Sequence, residues 1–360
     1  MSKYNFLDDY SEGAHPRIIE ALARTNMTQQ TAYGNDEFSQ DAREAIRNKI
    51  GADEATIHFV PSGTAANLLS IASCLRPHEA IIAASSAHIV MKETAAIEAT
   101  GHKIITQPAV DGKLTPDKIR LAFDQNSIFA HQAKPKMVYI SNATEIGTVY
   151  TRSELAAIAA ICKSLDLLIL MDGARLGAAL ASSETDMTLN DIYHLTDLFW
   201  IGGTKTGALI GEAVVIKDKS LGADFPYHMK QRGALLAKGR ILGIQFSTLL
   251  QDDLFLHLAR HANSTAAEIS SSLVKMGFNL WAKTETNQVF PILPSALVQE
   301  LQKEFDFYIW DRLCDGSLVV RVVTSWATEL SKVRRFITMA EEWKAGSQEI
   351  AVLEKQKPVV

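Results

Sequence analysis

Residues 202–211 read GGTKTGALIG and follow directly on the apolar run Leu198 to Ile201. A buried strand that opens into glycines and a single cation delivers Lys205 by loop into a confined site. An amine kept out of water and near other positive charge has a depressed pKa, which a Schiff-base nucleophile requires. The same stretch also fits a solvated loop lysine, so the neighbouring elements must decide between the two.

Upstream, short apolar runs alternate with amphipathic stretches. The runs are Thr56 to Val60, Ala80 to Ala84, Lys103 to Gln107, Met137 to Ser141, Leu167 to Asp172, Leu198 to Ile201 and Ala213 to Lys217. Helical patterns lie between most of them, at Ala65 to Leu75, Ile89 to Thr100, Pro116 to Phe123 and Ser153 to Leu165. Strands separated by helices make βαβ units, so the spacing predicts an α/β fold with a mostly parallel seven-stranded sheet between helices. Ligands then belong at the carboxyl ends of the strands.

Before this region, an irregular arm and a helix opened by Pro16, with Ile18, Ile19 and Leu22 on one face, occupy residues 1–30. The turn Tyr33-Gly34-Asn35-Asp36 precedes a helix over Phe38 to Ile50. Residues 31–250 make the large domain. After residue 250 the texture changes to a long helix, Asp252 to Met276, and strands with short returns at Asn279 to Lys283, Val289 to Leu293, Phe307 to Trp310 and Leu318 to Val323. A helix over Ser295 to Phe305 and a last one from about Thr328 complete a smaller α+β domain, 251–360, with a frayed tail after Lys344.

The chain has 360 residues, 47% of them hydrophobic and 21% charged, with a net charge of −5 and scattered Lys and Arg. That composition argues against nucleic acid or an anionic membrane as the main partner and favours a small molecule. No apolar run approaches the roughly 18 residues of a membrane span, and Met1 to Tyr10 lacks the pattern of a secretory signal. A cytoplasmic location follows as the expectation. Cys74, Cys162 and Cys314 are unmatched in spacing and read as reduced core thiols, with no metal site.

Several strand ends carry candidate chemistry. Pro61-Ser62-Gly63-Thr64-Ala65-Ala66-Asn67 follows a strand and opens a helix, where backbone N–H groups, the helix dipole and two hydroxyls suit a phosphate. The lysine and glycine spacing of a Walker loop or a dinucleotide fingerprint is absent. Asp172 ends a continuous apolar strand and needs a cationic partner, either a protonated ligand nitrogen or Arg175. His88 has a ring to stack on an aromatic ligand or act as a base. Glu145 leaves another strand end as a possible hydroxyl-orienting group or base. Arg321 lies among valines, where burial demands a carboxylate or phosphate, from substrate or from an internal acid. Tyr33 is placed to close over a ligand. Lys230, Arg232, Lys238 and Arg240 form a basic segment, either a solvated helix face or a phosphate contact across a subunit interface.

The ordered set YGND, PSGTAAN, SSAH, MDGAR and GGTKTG resembles the threonine aldolase branch of the β-eliminating lyase family, from about residue 5 to 330. The resemblance implies the fold-type-I architecture of enzymes dependent on pyridoxal 5'-phosphate. It implies that Lys205 holds the cofactor as a Schiff base and that Asp172 keeps its ring nitrogen protonated. His88 would stack on the ring, Ser62, Gly63 and Thr64 would hold the phosphate, and Arg175 and Arg321 would grip the substrate carboxylate. Tyr33 would line a site shared between subunits of a homodimer or homotetramer.

The implied reaction is cleavage of L-threonine, L-allo-threonine or a related β-hydroxy-α-amino acid, such as phenylserine, to glycine and an aldehyde. A β-elimination lyase or aminotransferase on the same fold is the alternative, and a catalytically silent relative the third. Two positions depart from the family pattern. Where many members have a histidine in a THNG-like loop, this chain has Thr144-Glu145-Ile146-Gly147, which leaves the base open between Glu145 and a water or His88 that it orders. Where many place a serine before the aspartate of the arm, this chain has Leu7-Asp8-Asp9, which puts Asp8 at the substrate-binding position.

Overall fold

In the computed structural model, which describes residues 3–355, seven strands form one sheet. Their spatial order is Thr56–Val60, Glu212–Ile216, Leu198–Gly202, Leu168–Asp172, Lys134–Ser141, Glu79–Ala84, Lys103–Gln107. Only Glu212–Ile216 runs against the others, so six strands end on the same edge. The central runs form strands because they are apolar at consecutive positions: Leu198–Gly202 and Glu79–Ala84 are buried at every residue, as a sheet covered on both faces requires.

Helix ends follow local chemistry. Asp36 caps the Glu37–Ile50 helix by accepting from the Ser39 N–H, and Gly51 ends it in the left-handed conformation. Thr151 and Glu154 form a reciprocal capping box at the start of Arg152–Ser164. The stretch Ile89 to Thr100 is not one helix. It is a single turn, His88–Met91, followed by a 3-10 turn at Glu98–Thr100, because Thr94 and Ala95 take φ of 49° and 58° between them.

A second sheet, entirely antiparallel, has the order Tyr308–Arg312, Leu318–Val323, Gln288–Leu293, Leu280–Ala282. One face carries Val289, Leu293, Val320 and Val322 into a core with Ile269 and Leu273 of the Leu254–Lys275 helix and Phe336 of the last helix. The other face carries Gln288 and Arg321. The N-terminal arm belongs to this side: Tyr4–Asn5 pairs in parallel with Phe305–Asp306, and Phe6 is buried in the same core.

Other expectations need correction. On the Pro16–Thr25 helix Ile18 and Ala21 are buried while Ile19 is 48% exposed, since adjacent helical residues point about 100° apart. Cys162 is buried and Cys74 partly so, but Cys314 sits exposed in a turn. The last helix runs Leu330–Lys355, so the tail after Lys344 continues as helix, and residues 356–360 lie outside the described residues.

Candidate active site

The ends of the co-directional strands bring together Ser62, His88, Asp172 and Lys205. They line a cavity of about 360 Å³ with Gly63, Thr64, Tyr10, Asn67, Glu93, Trp200 and Glu212. Two glycines permit the closeness. A Cβ on Gly173 would lie 1.7 Å from the Trp200 carbonyl oxygen, so the chain after Asp172 can pass the neighbouring strand only without a side chain. A Cβ on Gly63 would lie 2.9 Å from the Trp200 ring.

Lys205 makes no ion pair among the described residues, and its ammonium lies 5.7 Å from the centre of the Tyr10 ring. Burial lowers its pKa most and the Arg175 cation adds to this, against Asp9, Asp172 and Glu212. The loop is held from behind: the Glu212 carboxylate accepts from the Gly203 N–H at 2.8 Å and the Thr204 hydroxyl at 2.9 Å. Burial pushes the Glu212 pKa up to about 7, against those two hydrogen bonds and the Lys205 charge.

Asp172 is buried, and its carboxylate accepts from the Tyr139 hydroxyl at 2.5 Å, the Asn67 amide at 3.0 Å and the Ala174 N–H at 2.9 Å. No cation lies within ion-pair distance of it among the described residues. Arg175 is not its partner, because Asp9 takes Arg175 in a two-pronged pair at 2.7 and 3.0 Å. Asn67 joins the network: its NH₂ also donates to Glu93 at 2.9 Å, and its oxygen accepts from the Trp200 indole at 3.0 Å.

The cup is formed at the start of the Gly63–Cys74 helix. Ser62 caps it by accepting from the Ala65 N–H at 3.2 Å, which leaves the Gly63 and Thr64 amides among the donors that a helix start does not satisfy internally. Those donors, an anionic strand end without a cation and a desolvated lysine fit a compact phosphorylated pyridine aldehyde, whose phosphate, protonated ring nitrogen and carbonyl carbon match them in turn.

The remaining candidates separate. Arg321 donates from Nε and a terminal nitrogen to Oε1 of Gln288, at 3.0 and 2.7 Å, and its guanidinium lies 5.9 Å from the centre of the Trp310 ring. It has no internal acid among the described residues. Burial lowers its pKa to about 10, and nearby Arg175 contributes, against Asp9 and Asp8. Glu145 does not line the cavity; one of its oxygens accepts from the main-chain N–H of His88 and the hydroxyl of Ser141. Tyr33 is not at this site. It adopts φ of 59°, is 43% exposed, has Lys230 4.6 Å over its ring, and lines a separate cavity of about 540 Å³ with Arg43 and His58. In the basic segment, Arg240 donates to the Thr25 and Thr28 carbonyls, so it serves the first helix rather than this cup.

In the arm Asp9 is 1% exposed and bonded to Arg175 and to the Asn287 amide, while Asp8 lies near Tyr10 and Arg321. Glu93, Trp200, Glu212 and Tyr139 lie in none of the motifs, and Asn67, the last residue of PSGTAAN, carried no assigned role. Glu212 had a signal: it is the single polar residue of the otherwise apolar Glu212–Ile216 strand.

The beta-eliminating lyase family model matches residues 6–295. The chain belongs to that family. Within it, the low specificity L-threonine aldolase of a Pseudomonas species is 35% identical over 91% of this chain and 94% of its own. That of Pseudomonas aeruginosa is 34% identical with the same coverage. The solved Leishmania major threonine aldolase superposes with a TM-score of 0.93 at 44% identity, covering 95% of this chain and 99% of that one. The fold-type-I architecture is wider than the family. A Thermus thermophilus aspartate aminotransferase shares it at a TM-score of 0.65 and 15% identity, over 94% of this chain and 90% of that one.

Proposed function

We propose that this beta-eliminating lyase family member is a pyridoxal-phosphate-dependent aldolase of the threonine aldolase type, splitting a β-hydroxy-α-amino acid into glycine and an aldehyde. The observation that carries the reading is the pairing, on one strand edge, of a desolvated lysine with a buried aspartate that has hydrogen-bond donors but no cation. Lys205 would bind the cofactor covalently, Asp172 would face its ring nitrogen, Ser62, Gly63 and Thr64 would receive its phosphate, and His88 would cover its ring. When bound, the cofactor supplies an electron-withdrawing ring that accepts the pair released from the Cα–Cβ bond.

The protein's own groups do the rest. The Tyr139, Asn67 and Ala174 donors hold the buried Asp172 carboxyl group in place. Burial and Arg175 favour neutral, nucleophilic Lys205. Arg321 presents an unpaired guanidinium to the substrate carboxylate, fixing the amino acid so that the scissile bond has one orientation. Arg175, already neutralised by Asp9, acts mainly by holding the arm and shaping that pocket. The reading includes a homo-oligomer in which Tyr33, exposed and away from its own chain's cavity, completes a neighbouring copy's site.

The decisive experiment is borohydride reduction of the cofactor-loaded protein followed by peptide mapping. Label on Lys205 is the expected result, and label elsewhere or none sinks the assignment. Incubation with L-threonine, L-allo-threonine and phenylserine then separates the chemistries. Aldehyde release supports the aldolase, whereas ammonia or a keto acid without aldehyde overturns it.

A further inference from the structure

Two carboxylates flank His88 and contact it differently. Glu145 takes the main-chain N–H of His88 at 2.9 Å and the Ser141 hydroxyl at 2.7 Å on one oxygen, outside the cavity. Glu93 lines the cavity with a fully buried side chain, and its Oε1 lies 3.9 Å from Nε2 of His88. That oxygen also accepts from Asn67, while Oε2 is buried without a hydrogen-bond partner. The helix expected over Ile89 to Thr100 stops to bring Glu93 here, and Thr94 and Ala95 take a left-handed backbone that such residues rarely adopt. A buried acid with one oxygen unsatisfied, next to an imidazole, in a segment that leaves helical geometry to place it, needs a role beyond packing.

We infer that Glu93 is the partner that lets His88 act as the base of the aldol cleavage, and that Glu145 is a positioning residue fixing the His88 turn. The inference rests on the aldolase reading. In the cleavage the O–H bond of the β-hydroxyl breaks and its proton passes to the imidazole of His88. The O–H electron pair becomes the second bond of the aldehyde carbonyl, and the Cα–Cβ pair stays with the glycine carbon. The proton later returns from the imidazole to that carbon, so the sum is amino acid to glycine plus aldehyde.

The imidazolium formed in between is unfavourable unless an anion offsets it. Burial lowers the His88 pKa most; Asp172 opposes, and Lys205, Arg175 and Lys92 lower it further. Asp172 already faces three donors, so Glu93 is the anion left to pair with the imidazolium. Burial pushes the Glu93 pKa up to about 7 and Asp172 adds to this, against the Asn67 hydrogen bond and the Lys205 charge. Glu93 therefore supplies its countercharge above about pH 7 and loses it below.

The test uses Glu93→Gln, Glu93→Asp and Glu145→Gln. Cleavage of L-threonine by the loaded Glu93→Gln enzyme should lose about 100-fold in kcat, with KM within about threefold, and the fall in rate on the acid side should move to lower pH. A second readout uses the apoprotein labelled with ¹⁵N-histidine, with His88 assigned through His88→Gln. Its titration midpoint should fall in Glu93→Gln and stay nearer the parent in Glu93→Asp, which keeps the charge and guards against a variant that merely folds badly. Glu145→Gln should lower kcat while keeping the pH profile. An unmoved His88 midpoint, or an unchanged acid limb in Glu93→Gln, overturns the assignment, as does a move of that limb in Glu145→Gln alone. If the parent enzyme releases no aldehyde, the aldolase reading falls and this role with it. A midpoint shift in the apoprotein would then place the failure in that reading rather than in the His88–Glu93 pair.

Discussion

Arg175 follows the Leu168–Asp172 strand of the large sheet, and Arg321 lies on the Leu318–Val323 strand of the small one. Both are removed from most solvent, yet they are held in different ways. Arg175 has a carboxylate, Asp9, in bidentate geometry. Arg321 has a neutral amide, Gln288, and an aromatic face, Trp310. Buried arginine needs anionic compensation. Arg175 finds it within the chain, and Arg321 is left able to take it from a ligand. The lesson is that an arginine's role is set by its partner's charge rather than by its own burial.

The contrast breaks most severely at Asp9. Replacing Asp9 with Ala strands the Arg175 guanidinium and should cost about 3–5 kcal/mol in urea unfolding; an unchanged midpoint would show that the pair does not hold the arm. The same carboxylate gives a pH signature. Burial opposes its ionisation, but Arg175, then Lys205 and the hydrogen bonds from Arg175 and Asn287 hold its pKa down to about 2 from 3.8. A folded pKa below the unfolded one stabilises above the unfolded value, so about 2 kcal/mol should be lost as pH falls from near 4 towards 2. Asp9→Asn should lack that dependence.

At the other arginine the effect should fall on binding rather than folding. Arg321→Gln is expected to raise KM for L-threonine by about 10–100-fold, the worth of a charge-assisted contact, with a smaller change in unfolding midpoint than at Asp9. The converse substitution sharpens the comparison. Gln288→Glu gives Arg321 an internal carboxylate, making it resemble Arg175, and should raise KM by about tenfold. A KM equal to the parent's would mean that Arg321 does not meet the substrate. The smallest effect belongs to the ring: Trp310→Ala removes a contact worth about 0.5–1 kcal/mol and should move KM only a few-fold.

How far these features could be read in advance depended on their range along the chain. Thr56–Val60, Lys103–Gln107 and Leu318–Val323 form strands over the very residues expected, because β-branched runs bounded by polar residues carry their own boundaries. Lys205, Asp172, His88 and Ser62 meet because each ends a strand or opens a helix, and co-directional strands place those ends on one edge. Glu93 was hidden inside a helical pattern. Its periodicity was sound at Ile89 and Ile97, both buried, but the carboxylate bonds to Asn67, 26 residues away, and the helix is interrupted at Thr94 and Ala95. Asp9 was passed over for Asp8 because nothing adjacent distinguishes two neighbouring aspartates of an arm.

The amino-acid sequence by itself determined the sheet, the loop that carries Lys205 and the helix start beside it, since hydrophobic runs, glycines and caps act between near neighbours. Tertiary structure alone decided which partner each charge meets. Arg175 finds Asp9 across 166 positions and Arg321 finds Gln288 across 33, and electrostatic pairing depends on distance in space and on the water excluded around it, neither of which is written in the local order of residues.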